Sequence, residues 1–223
     1  MNRYQQNIEI LCNEHRIDLS ELADKLRCDI SDIFRPKPDT LISLSEFFNV
    51  TIDALIKAPL MKVSQIREYP VKMLVMDVDG VLTRGEITYT ENGDEIKSFN
   101  VKDGYAIKQL KKNTKLIVGI ISHSVHTNIL TKRKTILDLD FAEISSAPKE
   151  ETLKQKCKEY KIETKDVMYV GDDLNDIAVM KLCGLVACPN DAVDDVKRIA
   201  HVILRSKGGE GCLRELIDGY LNK

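Results

Sequence analysis

The stretch Met73-Leu74-Val75-Met76-Asp77-Val78-Asp79-Gly80-Val81-Leu82-Thr83 decides the fold of this chain. An apolar run ends in two carboxylates one residue apart, and a glycine follows them. A buried parallel strand ends in this way when it delivers side chains to the carboxyl edge of an open α/β sheet, where such sheets bind their ligands. Because side chains alternate along an extended chain, we expect Asp77 and Asp79 to lie on one side and to meet around one reacting group or one metal ion.

A second stretch has the same design: Val167-Met168-Tyr169-Val170-Gly171-Asp172-Asp173-Leu174-Asn175-Asp176. Its acidic residues should reach the same edge of the same sheet as Asp77 and Asp79. Carboxylates that converge without compensating charge repel one another, so a bound divalent cation is the simplest explanation. Oxygen ligands without histidine favour Mg²⁺ over zinc.

Two residues between these acidic stretches suit phosphate chemistry. Ser122 follows the apolar run Leu116 to Ile121, where its hydroxyl can donate to a phosphate oxygen at a helix N-terminus. Lys149 opens a predicted helix, where its ammonium can balance the charge of a nucleophile and a phosphate.

The chain divides into three predicted segments. Residues 1–58 form a helical domain, residues 59–70 a linker in which a strand pattern begins, and residues 71–223 an α/β domain. In the last segment strands alternate with helices, which predicts a doubly wound parallel sheet. The exception is residues 86–100, where Asn92-Gly93 between alternating segments predicts a β-hairpin that packs over the active site or pairs with another subunit.

The helical domain shows the apolar periodicity of four or five short helices, with Ser20 and Thr51 placed as N-caps. The segment Leu19 to Leu26, followed later by Leu44 to Ile56, resembles the helix-turn-helix domain of phage-repressor-type regulators. Its charges argue against DNA binding, because residues 1–60 carry 7 basic and 10 acidic residues and the expected recognition helix offers Asp29 and Asp32. A retained helical module for dimerisation or docking is the favoured interpretation.

The composition excludes several classes. At 223 residues the chain holds one medium and one small domain, and its net charge of -2 indicates no global attraction to nucleic acid or membrane. Its six cysteines form no CxxC pair, which argues against zinc and disulfides and for reduced cytosolic thiols. The N-terminus has no signal-peptide pattern and no apolar run could span a membrane, so we expect a cytoplasmic protein without a membrane partner.

The motifs together resemble the haloacid dehalogenase superfamily of phosphotransferases. A closer likeness, over residues 71–221, is to the capless phosphatases that act on 3-deoxy-D-manno-octulosonate 8-phosphate. The four superfamily motifs correspond in order to Asp77-Val78-Asp79-Gly80-Val81, Ser122, Lys149 and Gly171 to Asp176. The closer likeness also rests on the Asn92-Gly93 hairpin, the segment Phe99 to Gly104, the segment Gly208 to Gly211, and Arg214-Glu215.

The resemblance implies a mechanism. Asp77 would be the nucleophile that forms an aspartyl phosphate, and Asp79 the general acid and base, with Lys149 as the third catalytic residue. Ser122 and Lys149 would hold the phosphoryl oxygens. Mg²⁺ would be held by the carboxylates of Asp77 and Asp172 and by the main-chain carbonyl of Asp79. Asp173 and Asp176 would support this site.

The resemblance also implies substrate contacts and a homotetramer in which the hairpin and a neighbouring subunit replace a cap domain. The residues expected to bind substrate, besides Ser122, are Lys102, Gly104, His123 and Arg214. Lys102 equally suits a capping role for the helix that follows it, and Arg214 belongs to a segment that equally suits a simple helix start.

One departure concerns the second motif, where relatives usually have Gly-Arg after the Ser or Thr and this chain has His123-Ser124. His123 is either a recognition residue or the donor of a local hydrogen bond. The expected substrate is 3-deoxy-D-manno-octulosonate 8-phosphate. A nonulosonate 9-phosphate, related to sialic acids, and a regulatory or scaffolding role of the helical domain stay open as alternatives.

Overall fold

The computed structural model describes residues 2–123 and 127–222, and its N-terminal residues 2–58 form a group of short helices that we call the head. The five helices of the head are α1 (Arg3–His15), α2 (Leu19–Leu26), α3 (Ile30–Phe34), α4 (Pro38–Phe48) and α5 (Ile52–Lys57). The apolar periodicity of the sequence therefore predicted the number and kind of elements in this region. Among the described residues, no helix is both long enough and apolar enough to cross a bilayer.

The helix caps of the head match the sequence prediction in one case and not in the other. Thr51 caps α5, because its hydroxyl accepts the backbone N–H of Ala54 at 3.0 Å. The prediction for Ser20 is wrong, because α2 begins at Leu19 and Asp18 caps it by accepting the N–H of Glu21 at 2.8 Å. A carboxylate at this position also gains from the positive end of the helix dipole.

The segment predicted as a linker with a strand pattern contains the helix α6 (Val63–Glu68). The side chain of Gln65 accepts the backbone N–H of Lys62 at 2.9 Å and closes the first turn. Ile66 is 1% exposed and belongs to an apolar cluster of the α/β domain. Such a short helix depends on tertiary burial, which the local pattern of the sequence does not display.

The α/β domain follows the predicted alternation of strands and helices. Its elements are β1 (Met73–Met76), β2 (Thr88–Tyr89), β3 (Glu95–Ile96), α7 (Val101–Asn113), β4 (Ile117–Ser122), α8 (Thr127–Leu137), β5 (Phe141–Ile144), α9 (Lys149–Tyr160), β6 (Val167–Val170), α10 (Ile177–Met180), β7 (Leu185–Cys188), α11 (Asp194–Lys197), β8 (Val202–Ile203) and α12 (Cys212–Leu216). A 3₁₀ turn, Leu174–Asp176, precedes α10, and a π-helical turn, Ile217–Leu221, follows α12.

Six strands form a parallel sheet in the order β5-β4-β1-β6-β7-β8, which confirms the predicted doubly wound architecture. β1 lies between β4 and β6 and pairs in parallel with both, so the residues after these three strands meet at one edge. The predicted hairpin is also present as the antiparallel pair β2-β3 around Asn92-Gly93.

Both faces of the sheet are covered by apolar side chains. Met73 and Val75 of β1 belong to one cluster, and Leu74 and Met76 belong to the cluster on the other face. The first cluster continues into the head, where it includes the buried Leu55 and its neighbours. The head therefore extends the hydrophobic core of the α/β domain.

Candidate active site

The parallel sheet brings the predicted site residues to one cavity at its carboxyl edge. Asp77 directly follows β1, Ser122 ends β4, Lys149 begins α9 and Asp172 lies two residues after β6. Asp77, Ser122 and Asp172 line a cavity of about 390 Å³ together with residues of the hairpin. Strands that run in parallel at adjacent positions deliver their terminal residues to one place, which explains why distant parts of the chain converge here.

Lys149 is the centre of a buried charge network. Its Nζ lies 2.7 Å from Oδ2 of Asp77 and 2.7 Å from Oδ1 of Asp176. The lysine residue is 1% exposed, Asp77 5% and Asp176 0%. A buried ammonium is tolerated only when carboxylates surround it in this way, so the network fixes the orientation of Asp77.

Asp176 connects the network to two further residues. Its Oδ1 also accepts the hydroxyl of Tyr169 at 2.9 Å, and its Oδ2 accepts the backbone N–H of Asp172 at 3.0 Å. Both oxygens are thus engaged, and Asp176 connects the backbone of Asp172 to Lys149. Its predicted supporting role remains a prediction to which this geometry gives a physical basis.

Carboxylate oxygens of Asp77, Asp172 and Asp176 lie within 4.8 Å of one another and could hold a metal ion. Oδ1 of Asp172 is buried and has no hydrogen-bond partner among the described residues. A buried carboxylate oxygen without a donor is costly unless a cation binds it, so the donor set fits a hard divalent cation such as Mg²⁺. Asp77 and Asp176 each have both carboxylate oxygens engaged, because Asp77 accepts the backbone N–H of Val78 at 2.7 Å on Oδ1 and pairs with Lys149 through Oδ2. Oδ1 of Asp172 is therefore the carboxylate oxygen of the three residues that is buried without a described donor.

The pKa values of these groups indicate an excess of negative charge in the site. Burial and the Asp176 carboxylate raise the pKa of Asp77 to about 7, with Lys149 acting in the opposite direction. Burial and Asp77 raise the pKa of Asp172 to about 8. Burial lowers the pKa of Lys149, but Asp77 and Asp176 outweigh that effect and raise it overall. One ammonium does not balance three carboxylates, and a divalent cation would restore their ionised forms.

Asp79 lines the same cavity, but its carboxylate has an ion-pair partner that the sequence analysis did not identify. Nζ of Lys97 lies 2.6 Å from Oδ1 of Asp79 and 2.7 Å from Oε1 of Glu95, and the Lys97 side chain is only 3% exposed. The hairpin therefore places an ammonium on the predicted general acid and base. Strand alternation puts Glu95 and Lys97 on one face of the hairpin, and this was the available signal.

The second motif is only partly described. Ser122 is 2% exposed and His123 lies at the rim of the same cavity. Nε2 of His123 donates to the carbonyl oxygen of Ala147 at 2.9 Å, so the local hydrogen bond considered for this histidine is present. Ser124, the other residue of the departure, lies outside the described residues.

Asp173 also lines the acidic cavity. It is exposed and its side chain accepts the N–H of Leu174 at the start of the 3₁₀ turn. Lys102 and Arg214 line a different cavity of about 670 Å³. Gly104 is buried within α7 against the guanidinium of Arg133. Within one chain, the structure does not bring Lys102, Gly104 or Arg214 to the acidic cavity.

Comparison with known proteins agrees with this geometry. A family model described as haloacid dehalogenase-like hydrolase matches residues 83–216. The 3-deoxy-D-manno-octulosonate 8-phosphate phosphatase of Haemophilus influenzae is 33% identical over 151 residues, which cover 68% of this chain and 83% of that protein.

Solved structures give the same result. The 3-deoxy-D-manno-octulosonate 8-phosphate phosphatase of Yersinia pestis has a TM-score of 0.67 and 31% identity, with 71% of this chain and 84% of that chain covered. The phosphatase of the same name from Moraxella catarrhalis, in complex with magnesium ion, phosphate ion and KDO, has a TM-score of 0.67 and 28% identity over 71% of this chain and 90% of that one. The chain therefore belongs to the haloacid dehalogenase-like hydrolases and, over residues of about 73–216, to their family of 3-deoxy-D-manno-octulosonate 8-phosphate phosphatases.

Proposed function

We propose that this protein is a Mg²⁺-dependent phosphatase that hydrolyses a phosphorylated keto-sugar acid, 3-deoxy-D-manno-octulosonate 8-phosphate, through an aspartyl phosphate on Asp77. The observation that carries the proposal is the position of the Asp77 carboxylate, which lies 2.7 Å from Nζ of Lys149 and within 4.8 Å of a carboxylate oxygen of Asp172. The Moraxella catarrhalis relative, which was crystallised with magnesium, phosphate and KDO, supports the choice of substrate.

In the first step a carboxylate oxygen of Asp77 attacks phosphorus, and the bond from phosphorus to the sugar oxygen breaks. Asp79 gives its proton to the departing sugar oxygen, which leaves as an alcohol. Lys149 and the Ser122 hydroxyl hold the phosphoryl oxygens and offset their charge. Bound Mg²⁺, held by the carboxylates of Asp77 and Asp172 and the main-chain carbonyl of Asp79, would supply further positive charge to the transferring group.

In the second step water attacks phosphorus and the bond between phosphorus and the Asp77 oxygen breaks. Asp79 is now a carboxylate and takes the proton from the attacking water, which returns both residues to their starting forms and releases phosphate. This double use of one residue requires that its carboxylate stays in place between the two steps. Lys97 and Thr83 supply that restraint, at 2.6 Å and 3.3 Å from Oδ1 of Asp79.

Sugar recognition belongs to the rim of the cavity. Ile87 and Tyr89 of the hairpin line the cavity and are 62% and 60% exposed, as expected of residues that a ligand or a neighbouring subunit covers. In the proposed homotetramer, Lys102, which is exposed, and Arg214, which is half-buried, reach the substrate of a neighbouring subunit, whereas Gly104 is buried within α7 and does not. His123 contacts the sugar acid in place of the missing arginine, whose position in the motif is taken by Ser124. The missing arginine keeps the nonulosonate 9-phosphate in the substrate test.

The covalent mechanism predicts the behaviour of Asp77→Asn. Because an amide is a poor nucleophile toward phosphorus, the variant should lose at least about 10³-fold in kcat while it stays folded. Phosphate release with Mg²⁺ should be measured on 3-deoxy-D-manno-octulosonate 8-phosphate and a nonulosonate 9-phosphate. The control that keeps most of the activity is Asp138→Asn, at an exposed aspartate with φ 56°, a conformation that asparagine adopts readily. Turnover of the nine-carbon compound alone would replace the proposed substrate, and no turnover of either, with specific DNA binding, would favour a regulatory role.

The position of Asp172 predicts that alanine substitutions at Gly80 and Gly93 affect Mg²⁺ binding differently, although both glycines have a φ of +85°. A Cβ atom at Gly80 would lie 1.9 Å from Oδ2 of Asp172, whereas a Cβ atom at Gly93 meets nothing within 4 Å. Gly80→Ala should therefore weaken Mg²⁺ binding by about 10- to 100-fold, and Gly93→Ala should leave it unchanged. Isothermal titration calorimetry with MgCl₂ measures both. Equal affinities for the two variants would place the metal away from Asp172.

The raised carboxylate pKa values predict a pH dependence of metal binding. Asp77 and Asp172 titrate at about 7 and about 8 in the folded metal-free chain against 3.8 for an ordinary aspartate. The folded chain then holds more protons than the unfolded chain from about pH 4 to pH 8, so these groups make the metal-free protein less stable as pH rises through that range. Mg²⁺ displaces these protons, and between pH 6 and pH 8 its affinity should rise by up to about tenfold per pH unit for each released proton. Calorimetry in buffers of different ionisation enthalpy counts the protons, and a constant affinity would contradict the proposed ligands.

The restraint on Asp79 predicts a leaving-group effect of Lys97→Met. Without the ion pair that holds its carboxylate in place, Asp79 should be poorly positioned to give a proton to the sugar oxygen, and single-turnover cleavage of the sugar phosphate should slow by about 10- to 100-fold. Cleavage of p-nitrophenyl phosphate should change much less, because nitrophenolate leaves without a proton. Lys111→Met is the matched control, since Lys111 forms a comparable ion pair with Asp140 at 2.6 Å. Equal slowing on both substrates would show that Lys97 acts on something other than the proton transfer.

A further inference from the structure

The head lies outside the residues that carry the family match, which begins at residue 83, so the comparisons assign it no role. Its acidic surface offers little to DNA, yet it is joined to the α/β domain through a shared apolar cluster. Specific polar contacts accompany that packing. They converge on one short loop, residues 189–193 between β7 and α11, which we call the bridge loop.

Two contacts hold the bridge loop and the helix after it to the head. The side-chain amide of Asn49 donates to Oδ1 of Asn190, which is 8% exposed at the start of the bridge loop. Asp53 in α5 pairs with Nε of Arg198 at 2.7 Å, just beyond α11. The head therefore contacts this part of the chain at two places, in the bridge loop and just after α11.

The bridge loop in turn holds the backbone of the proposed metal site. The N–H of Val193 donates to the carbonyl oxygen of Asp172 at 2.9 Å. Asp191 accepts the N–H of Gly208 at 2.9 Å, and the N–H of Asn190 donates to Ser206 at 3.0 Å. The residues of this loop thus connect the head, the metal-site residue Asp172 and the loop before α12.

Asp172 is the residue whose carboxylate has an unpartnered buried oxygen, so its main-chain position decides how well that oxygen meets a cation. A ligand held by its neighbours before the metal arrives costs less to order on binding. We propose that the head acts as an intramolecular support of the metal site, in which Asn49 and Asp53 are positioning residues that hold Asp172 through the bridge loop. This inference rests on the proposed Mg²⁺ site and gives the head a function other than DNA binding.

The test compares two left-handed helix ends of the head. Asn49 has φ 51° and Arg27 has φ 53°, and glycine suits both positions, so either substitution removes a side chain without straining the backbone. Arg27 makes no described contact with the bridge loop. The variants of the full chain are Asn49→Gly, the double variant Asn49→Gly with Asp53→Asn, and the control Arg27→Gly.

Magnesium binding is measured by isothermal titration calorimetry with MgCl₂ alone, and metal-free melting temperatures are recorded alongside. We expect Mg²⁺ affinity to fall by about 3- to 10-fold in the double variant. Loss of a residue that directly supports a metal ligand typically lowers affinity by about 10- to 100-fold, and Asn49 and Asp53 lie one contact further from the metal. The control should bind as the unaltered chain does. Equal affinity in the unaltered chain and the double variant would overturn the role of the head. Failure of the unaltered chain to bind Mg²⁺ would instead overturn the proposed metal site, so the two failures are distinguishable.

Discussion

The ammonium of Lys149 between Asp77 and Asp176 is the interaction on which the rest of the site depends. Without it, two carboxylates would be buried side by side in a medium that stabilises neither charge. With it, Asp77 is held in one orientation at the end of a central strand, and Asp176 is held against the backbone of Asp172. The same contact that makes the buried acids tolerable therefore aligns the proposed nucleophile and the proposed metal ligand.

The sheet order explains why this network can form from distant parts of the chain. β1 is flanked by β4 and β6, so Asp77 has Ser122 on one side and Asp172 on the other. Helix α9 begins at the same edge and inserts Lys149 beneath them. The hairpin contributes Lys97, whose ammonium pairs with Asp79, whereas Asp77 pairs with the ammonium of Lys149. Two neighbouring aspartates acquire different partners, which is what different roles in one reaction require.

Much of this could be predicted from local sequence. The apolar run before Asp77 and the similar run before Asp172 indicated parallel strands that end at one edge, and Asn92-Gly93 indicated the hairpin. Strand alternation did not reveal that Asp77 and Asp79 have separate partners, because β1 ends at Met76 and the chain turns there. Lys97 was missed because its contact with Asp79 depends on how the hairpin folds back.

The other differences share one physical cause, which is that short elements take their stability from tertiary contacts. The helix α6 is six residues long, and the burial of Ile66 against the α/β domain holds it in a segment whose own pattern suggested a linker. The hydrogen bond from Asn49 to Asn190 joins residues 141 positions apart, and no periodicity in either segment predicts it. Local patterns fix which strands and helices can form, whereas pairings between remote polar side chains follow from the assembled fold.

The contacts between the head and the loops of the active site are pairings of this remote kind. A phosphatase site at a sheet edge is built on rigid strands, but its loops are the least constrained parts of such a domain. Here Val193 holds the carbonyl of Asp172, and the segment that contains Val193 is itself held by Asn49 and Asp53. An added domain that packs into the core can therefore restrain a loop that the sheet alone leaves free. On this reasoning the head contributes to metal binding through the shape of the α/β domain, without touching the cavity in which the chemistry takes place.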